Sequence, residues 1–219
     1  MARPKRLILA SGSLGRRELL KLHGYAFEIQ PADVDEPTGE GTTDIRRYVQ
    51  DVSWIKAAAV APRHDDALIL SADTVGWIDN QVIGKPADEA DARRILRQLG
   101  GREHELWTGV TLWRRPDDVQ LIWQEVTRVF FAKLSDEELD RYLATRTWRG
   151  CSGAYAVQME NDPYVRIVDG SVSNVIGLPM ESLARNLERF FPDEQVDADI
   201  VRARALARVF YVALSLRER

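Results

Sequence analysis

Arg6-Leu-Ile-Leu-Ala-Ser11-Gly-Ser13-Leu-Gly-Arg16-Arg17 is the stretch that sets the fold. Its first five residues read as a short apolar strand and Ser11-Gly-Ser13 as a break. The run from about Leu14 to Leu22 then spaces its leucines for a helix. Strand, loop and helix in succession are the opening unit of an α/β protein. The same unit puts free backbone amides and the positive end of a helix dipole just after a strand, an arrangement that favours a bound phosphate. Ser11, Ser13 and Arg16 add donors there, although Ser13 also reads simply as a helix cap with solvated arginines behind it.

Downstream the alternation continues. A strand from about Ala26 to Pro31 leads to the acidic residues Asp33, Asp35 and Glu36, and a Gly/Thr-rich loop hands over to a helix from about Asp44 to Val60. On that helix Ile45, Val49, Val52, Ala59 and Val60 form an inward stripe. Ala67 to Ala72 is continuously apolar and predicts a buried strand ending at Asp73, and Asp79-Asn80 marks a turn. Asp88 caps a predicted helix that runs to about Leu99 and stops at Gly100-Gly101. Strand-like runs from about Glu103 to Trp113 and Gln120 to Ala132 flank Pro116-Asp117-Asp118 as a hairpin. Ser135-Asp-Glu-Glu138 is a capping box. Gly150 to Gln158 is strand-like, Gly170 to Gly177 is rich in Gly, Ser and Asn, and the tail from about Asp197 reads as one more amphipathic helix. The expected architecture is α/β: one twisted mixed sheet with flanking helices, bilobed about a central cleft. Residues 1–219 form one domain, with 193–219 an extra helical tail.

Composition narrows the function. A chain of 219 residues can bury roughly 70% of its unfolded surface, and 45% hydrophobic with 29% charged residues excludes a disordered chain. Thirty basic against 34 acidic residues give a net charge of −4, so no global field attracts nucleic acid or anionic lipid, and an anionic ligand needs a local site. Cys151 is the sole cysteine, which rules out an intramolecular disulfide or a cysteine-rich metal site and suits the cytoplasm. Leu7 to Ala10 is too brief for a signal peptide. Ile200 to Leu216 carries Arg202, Arg204 and Arg208, so no membrane association is expected.

GxxxxGK[ST], HExxH, GxSxG and CxxC are all missing. The remaining candidates are single polar residues, each with an ordinary structural alternative. Lys56 continues the column Ile45, Val49, Val52 and points its ammonium inward, toward a cleft anion or past the stripe to water. Asp73, at a strand end, can bind a metal or take a proton from water; it can also cap a turn. Lys85 sits in the stiffened turn Gly84-Lys85-Pro86, as a ligand or as surface charge. Glu36, with Asp33 and Asp35, offers oxygen ligands to a hard cation or forms a solvated loop. Cys151 reads as a small buried residue and His104 as a lone histidine without chemistry.

In order along the chain, Leu9-Ala-Ser-Gly-Ser, Arg16 with Glu18-Leu-Leu, Asp35-Glu36, Lys56-Ala, Ser71-Ala-Asp-Thr-Val75, Gly84-Lys-Pro86, Asp91-Ala92, Leu99-Gly-Gly-x-x-His104-x-x-x-Thr-Gly109, Gly153-Ala-Tyr-Ala-Val-Gln158 and Gly170-Ser-x-x-Asn174-Val-x-Gly-Leu-Pro179 resemble the Maf family over about residues 6 to 190. The resemblance implies a homodimer that hydrolyses nucleoside triphosphates between the α- and β-phosphates with a divalent metal, Mg²⁺ or Mn²⁺. It implies that Ser11, Ser13 and Arg16 hold phosphate, that Lys56 and Lys85 neutralise the triphosphate, and that Thr74 adds a substrate contact. Asp73 would activate water, and Glu36 and Asp73 would stand nearest the metal.

Three departures accompany the resemblance. The family's Ser-x-Ser-Pro-Arg-Arg reads Ser11-Gly-Ser-Leu14-Gly15-Arg16, without the proline and the first arginine; Arg17 follows as a substitute. Cys151 stands where a branch favouring 7-methyl-GTP has it, whereas Gly153 to Gln158 resembles the branch favouring dTTP and UTP. An amide such as Gln158 can read a base edge and a thiol reads little, so pyrimidine substrates are expected. The tail beyond Pro192 exceeds the family's usual end. The competing readings are a 7-methyl-GTP pyrophosphatase, a non-catalytic nucleotide-binding regulator of cell division, and a nucleotidyltransferase.

Overall fold

The computed structural model describes residues 6–157 and 162–190. β1 (Leu7–Leu9), α1 (Leu14–Leu22), β2 (Glu28–Ile29), α2 (Ile45–Val60), β3 (Leu68–Ile78), β4 (Gln81–Ile83), α3 (Glu89–Leu99), β5 (Arg102–Arg114), β6 (Val119–Phe131), α4 (Asp136–Ala144), β7 (Val165–Asp169), α5 (Val172–Ile176) and α6 (Met180–Phe190) follow one another along the chain. Gln158 and 193–219, with the helix expected there, lie outside the described residues.

These strands form one mixed seven-stranded sheet in the order β2-β1-β3-β5-β6-β7, with β4 also paired to β3. β2, β1 and β3 are parallel, and every other pairing is antiparallel. The predicted punctuation is in place. Asp44 and Asp88 cap α2 and α3, and Ser135 and Glu138 close the capping box of α4. Asp79 and Asn80 take positive φ in the β3–β4 turn, a backbone that suits the twist of a two-residue hairpin.

Two expectations are corrected. β3 does not end at Asp73 but runs on to Ile78, because β5 pairs with it as far as Trp77. Asp73 therefore lies in mid-strand. The stretch expected as a strand from Gly150 to Gln158 is not one over its described part, Gly150 to Val157: Gly150, Gly153 and Ala154 have positive φ, and Ser152–Ala154 is a single 3-10 turn.

Strand alternation sorts the interior. On one face Leu68, Leu70, Ala72, Val110 and Leu112 pack against α1 and α6. Further along that face Ile78, Leu106, Val129 and Phe131 pack against α3, α4, Trp148 and Tyr155. Between these two apolar bodies lie Thr74, Thr108 and Thr127. On the opposite face α2 covers Ile69 with Ala57 and Val60, and Val75 and Trp107 with Ile45 and Val49.

His104 lies inside the second body. Its Nε2 is 2.7 Å from the Tyr155 hydroxyl and its buried Nδ1 has no partner among the described residues. Burial, helped by the charge of Arg102, holds the imidazole down at about 4 against an ordinary 6.5. The folded chain thus keeps His104 neutral at pH values where an unfolded chain protonates it. Stability is complete above about pH 6.5, falls as pH drops, and levels off near pH 4, with a total loss of about 3 kcal/mol from this residue. Urea unfolding of wild type and His104→Gln across that window checks it; identical pH slopes in the two proteins contradict it.

Candidate active site

The outer edge of β3 carries the site. β5 fills one edge of β3 from Leu68 to Trp77, so β1 and β4 share the other: β1 pairs with Leu68 to Leu70, and β4 with Gly76 to Ile78. Among the described residues, Ser71 to Val75 are left with no strand on that side. The Ser11-Gly-Ser13 loop leaves β1 at one end of this gap, and Gly84-Lys85-Pro86 leaves β4 at the other. Two motifs far apart in sequence therefore meet because two strands stop short of each other.

Asp73 and Thr74 are neighbours in the gap and point to opposite faces. Toward α2, the Lys56 Nζ lies 2.7 Å from Asp73 Oδ1 and 2.9 Å from Glu36 Oε2. The side chains of Lys56 and Asp73 are both less than a tenth exposed, while that of Glu36 is 42% exposed. The inward stripe of α2 does carry its lysine into the protein. Tyr48, two turns before Lys56, donates from its hydroxyl to the Pro37 carbonyl at 2.8 Å and so secures the loop bearing Glu36. Burial, with the carboxylates of Asp73 and Glu36 adding to it, pushes the Tyr48 phenol up to about 12, so it stays protonated.

Toward the other face, Arg16 is 8% exposed. Its Nε donates to the Gly177 carbonyl at 2.8 Å, one Nη to Ser11 Oγ at 2.9 Å and the other to Thr74 Oγ1 at 3.2 Å. Burial lowers its pKa, and the charges of Asp73 and Glu36 oppose that shift. A guanidinium remains cationic under such conditions. Ser13 caps α1 with its side chain accepting from the Arg16 amide, and its own amide donates to Ser11 Oγ at 3.2 Å. Ser13 is thus a cap, but Arg16 behind it is drawn inward and is not the solvated arginine that the ordinary reading expects. Arg17 is partly buried, with its Nε unpartnered among the described residues.

Lys85 is exposed at the rim. Its loop is tied down where the Gly153 amide donates to the Gly84 carbonyl at 3.1 Å, and Ser152 Oγ donates to the Thr74 carbonyl at 2.6 Å. Cys151 is half-buried; burial pushes its thiol up and the charge of Lys85 opposes this. Ser11, Ser13, Arg16, Glu36, Lys56, Asp73, Thr74 and Lys85 thus gather around one gap in the sheet.

The departure at Gly15 has a steric basis. A Cβ there would stand 2.9 Å from Ile176 Cγ2 and 3.1 Å from the Ile176 carbonyl oxygen. A side chain there requires Ile176 on α5 to shift away from α1. The sequence did not single out Thr108, Asn174 or Tyr48 by role. Hydroxyls at alternate positions of otherwise apolar buried strands were the available signal.

A metal fits the site in one respect. No group of three or more His, Cys, Asp or Glu side chains suited to a metal occurs among the described residues. Two carboxylates do converge, since Glu36 and Asp73 both lie within 3 Å of one nitrogen. One or two carboxylates with phosphate and water completing the shell is how Mg²⁺ is held at nucleotide sites.

A family model described as Maf-like protein matches residues 6–190. A protein from Pelotomaculum thermopropionicum named dTTP/UTP pyrophosphatase is 42% identical over 186 residues, covering 85% of this chain and 97% of the relative. One of the same name from Rhodopirellula baltica is 41% identical over 188 residues, covering 85% and 83%. Among solved structures, the Staphylococcus aureus Ham1 protein aligns with a TM-score of 0.42 at 15% identity, over 58% of this chain and 72% of that one. With the family model spanning nearly all of the described sheet and helices, and relatives matched over most of their length, this chain belongs to the Maf family.

Proposed function

We propose that the protein hydrolyses nucleoside triphosphates of the dTTP and UTP kind to the monophosphate and pyrophosphate. The observation that carries this reading is the Lys56 ammonium held between Asp73 and Glu36, with the Arg16 guanidinium across the same stretch of β3. Two cations and two carboxylates at one gap suit an anionic substrate and a displacement that builds negative charge on its leaving group. The names of the relatives supply the base preference.

In this mechanism Arg16 and the Ser11 loop grip phosphate oxygens, Lys56 and Lys85 offset the triphosphate's charge, and Asp73 takes the proton of the attacking water. A water oxygen bonds to the α-phosphorus, the bond to the bridging oxygen breaks, and pyrophosphate leaves. Lys56, 2.7 Å from Asp73 Oδ1, holds that carboxylate in place, and a proton acceptor must be so positioned. Glu36 and Asp73 would hold Mg²⁺ or Mn²⁺, whose chemistry is to neutralise phosphate charge. Gln158 belongs to the same reading as the amide that reads the base, and the cytoplasm as its setting. No helix among the described residues is long and apolar enough to cross a membrane.

A homodimer completes the proposal. It is supported by the outer edge of β6, where β7 reaches only Arg128 to Phe131 and Val119, Ile122 and Val126 stay exposed. Light scattering that returns a monomer mass would remove it.

The deciding experiment is a panel of canonical and modified nucleoside triphosphates with Mg²⁺ or Mn²⁺, reading pyrophosphate, with a chelator control. Pyrophosphate from dTTP and UTP that stops on chelation is the expected result. Preference for 7-methyl-GTP moves the chain to the branch suggested by Cys151. Tight binding without turnover identifies a regulator, and orthophosphate as the product ends the proposal.

A further inference from the structure

Thr74 and Thr108 face each other across β3 and β5 in the polar belt between the two apolar bodies. Thr74 Oγ1 accepts from Arg16 at 3.2 Å and lies 3.0 Å from Thr108 Oγ1. Thr108, which is fully buried, reaches the Asn174 carbonyl at 3.3 Å. Thr74 has a second acceptor of its own, the Gly177 carbonyl at 3.4 Å.

Each hydroxyl has one proton, so two of these three contacts are made at a time. Thr74 donates to Thr108 while Thr108 donates to Asn174, or Thr108 donates to Thr74 while Thr74 donates to Gly177, or each donates to its own carbonyl. In every arrangement that uses both protons within these contacts, the proton of Thr74 is spent inside the protein. Phosphate oxygens only accept, so Thr74 has nothing to give them. Ser11 is the contrast: its oxygen accepts from Arg16 and from the Ser13 amide, and its proton finds no acceptor among the described residues. Arg16 has five N–H donors and uses three, which leaves one on each Nη, a pair suited to a bidentate oxyanion.

We propose that Thr108 is a positioning residue for Arg16. It acts through Thr74 and is itself anchored on the Asn174 carbonyl, and Thr74 serves the guanidinium and not the substrate. The proposal rests on the reading of Arg16 as a phosphate ligand. Asn174 extends the same support, because its Nδ2 donates to the Leu106 carbonyl at 3.1 Å and to Thr127 Oγ1 at 3.0 Å, which fixes α5 and the Gly177 turn to the sheet. The chain Asn174–Thr108–Thr74–Arg16 aligns the two unused donors before substrate arrives, and so removes an ordering step from binding.

The test compares wild type, Thr108→Val and Thr108→Ser for binding of magnesium pyrophosphate by calorimetry, for KM and kcat, and for melting. Valine keeps the shape and loses the hydroxyl; serine keeps the hydroxyl and loses a buried methyl. The expected result is pyrophosphate affinity about tenfold weaker in Thr108→Val, with KM raised in parallel, one charge-assisted contact being worth about that factor. Thr108→Ser should bind within about twofold of wild type even though it melts lower. If affinity instead follows melting temperature through both variants, Thr108 is a packing residue and the proposal is overturned. Unchanged affinity in Thr108→Val overturns it as well. Should the valine variant not fold, Thr108→Cys, a weaker donor of nearly the same size, replaces it with the same expectation. A wild type that neither binds nor releases pyrophosphate points to failure of the functional reading itself, which the wild-type arm shows separately.

Discussion

Asp73→Asn is expected to lower pyrophosphate release about a thousandfold, in line with what a positioned proton acceptor contributes. The substitution keeps the shape and an oxygen for Lys56 to donate to, and Glu36 still faces that ammonium at 2.9 Å. What is lost is basicity. The melting temperature should therefore move by less than about 10 °C, the effect of weakening one charge-assisted hydrogen bond in a chain of this size. Steady-state rates beside a circular-dichroism melt separate the two effects. A variant that folds and turns over within tenfold of wild type would remove Asp73 from the chemistry and leave it as the counter-ion of Lys56.

Gly109→Ala should have the largest effect on stability. A Cβ at Gly109 would sit 2.0 Å from the Val49 carbonyl oxygen, 2.3 Å from its carbon and 2.7 Å from the Gln50 amide nitrogen. All three are main-chain atoms of α2, so no side chain can turn aside. The helix must lift from β5 by more than an ångström, on the order of the difference from ordinary van der Waals contact, and it covers β3 as well. A loss of more than about 3 kcal/mol is expected, seen as a large drop in melting temperature and soluble yield. Lys56 moves with α2, so the protein that does fold should also lose activity. Gly84→Ala is the melting control, because nothing lies within 4 Å of a Cβ there. Equal melting temperatures for the two variants would show that α2 does not bear on Gly109 as described.

Local signals in the sequence account for the parts of the fold that depend on near neighbours. The opening strand, loop and helix, the inward column ending in Lys56, the caps at Asp88 and Ser135, and the turn at Asp79-Asn80 all follow from spacing or backbone preference within a few residues. Long-range pairing was hidden. Thr74-Val-Gly-Trp-Ile78 lies beyond the continuously apolar run and is broken by Gly76, yet it is strand because β5 pairs with it from Thr74 to Trp77. Gly153-Ala-Tyr looks extended, yet its positive φ values and the bond from Gly153 to Gly84 make it a clamp on the Lys85 loop. The site residues were legible as residue types, but the face each one occupies was not, since that needs the register of β3 between β1 and β4.

That register has an evolutionary implication. The carboxylate of Asp73 and the hydroxyl of Thr74 share a peptide bond yet serve opposite sides of the sheet, so inserting or deleting one residue upstream in β3 exchanges their surroundings in a single step. Descendants of this gene can drift by point change around the gap, but a reading-length error within Leu68 to Asp73 disables both halves of the machinery together.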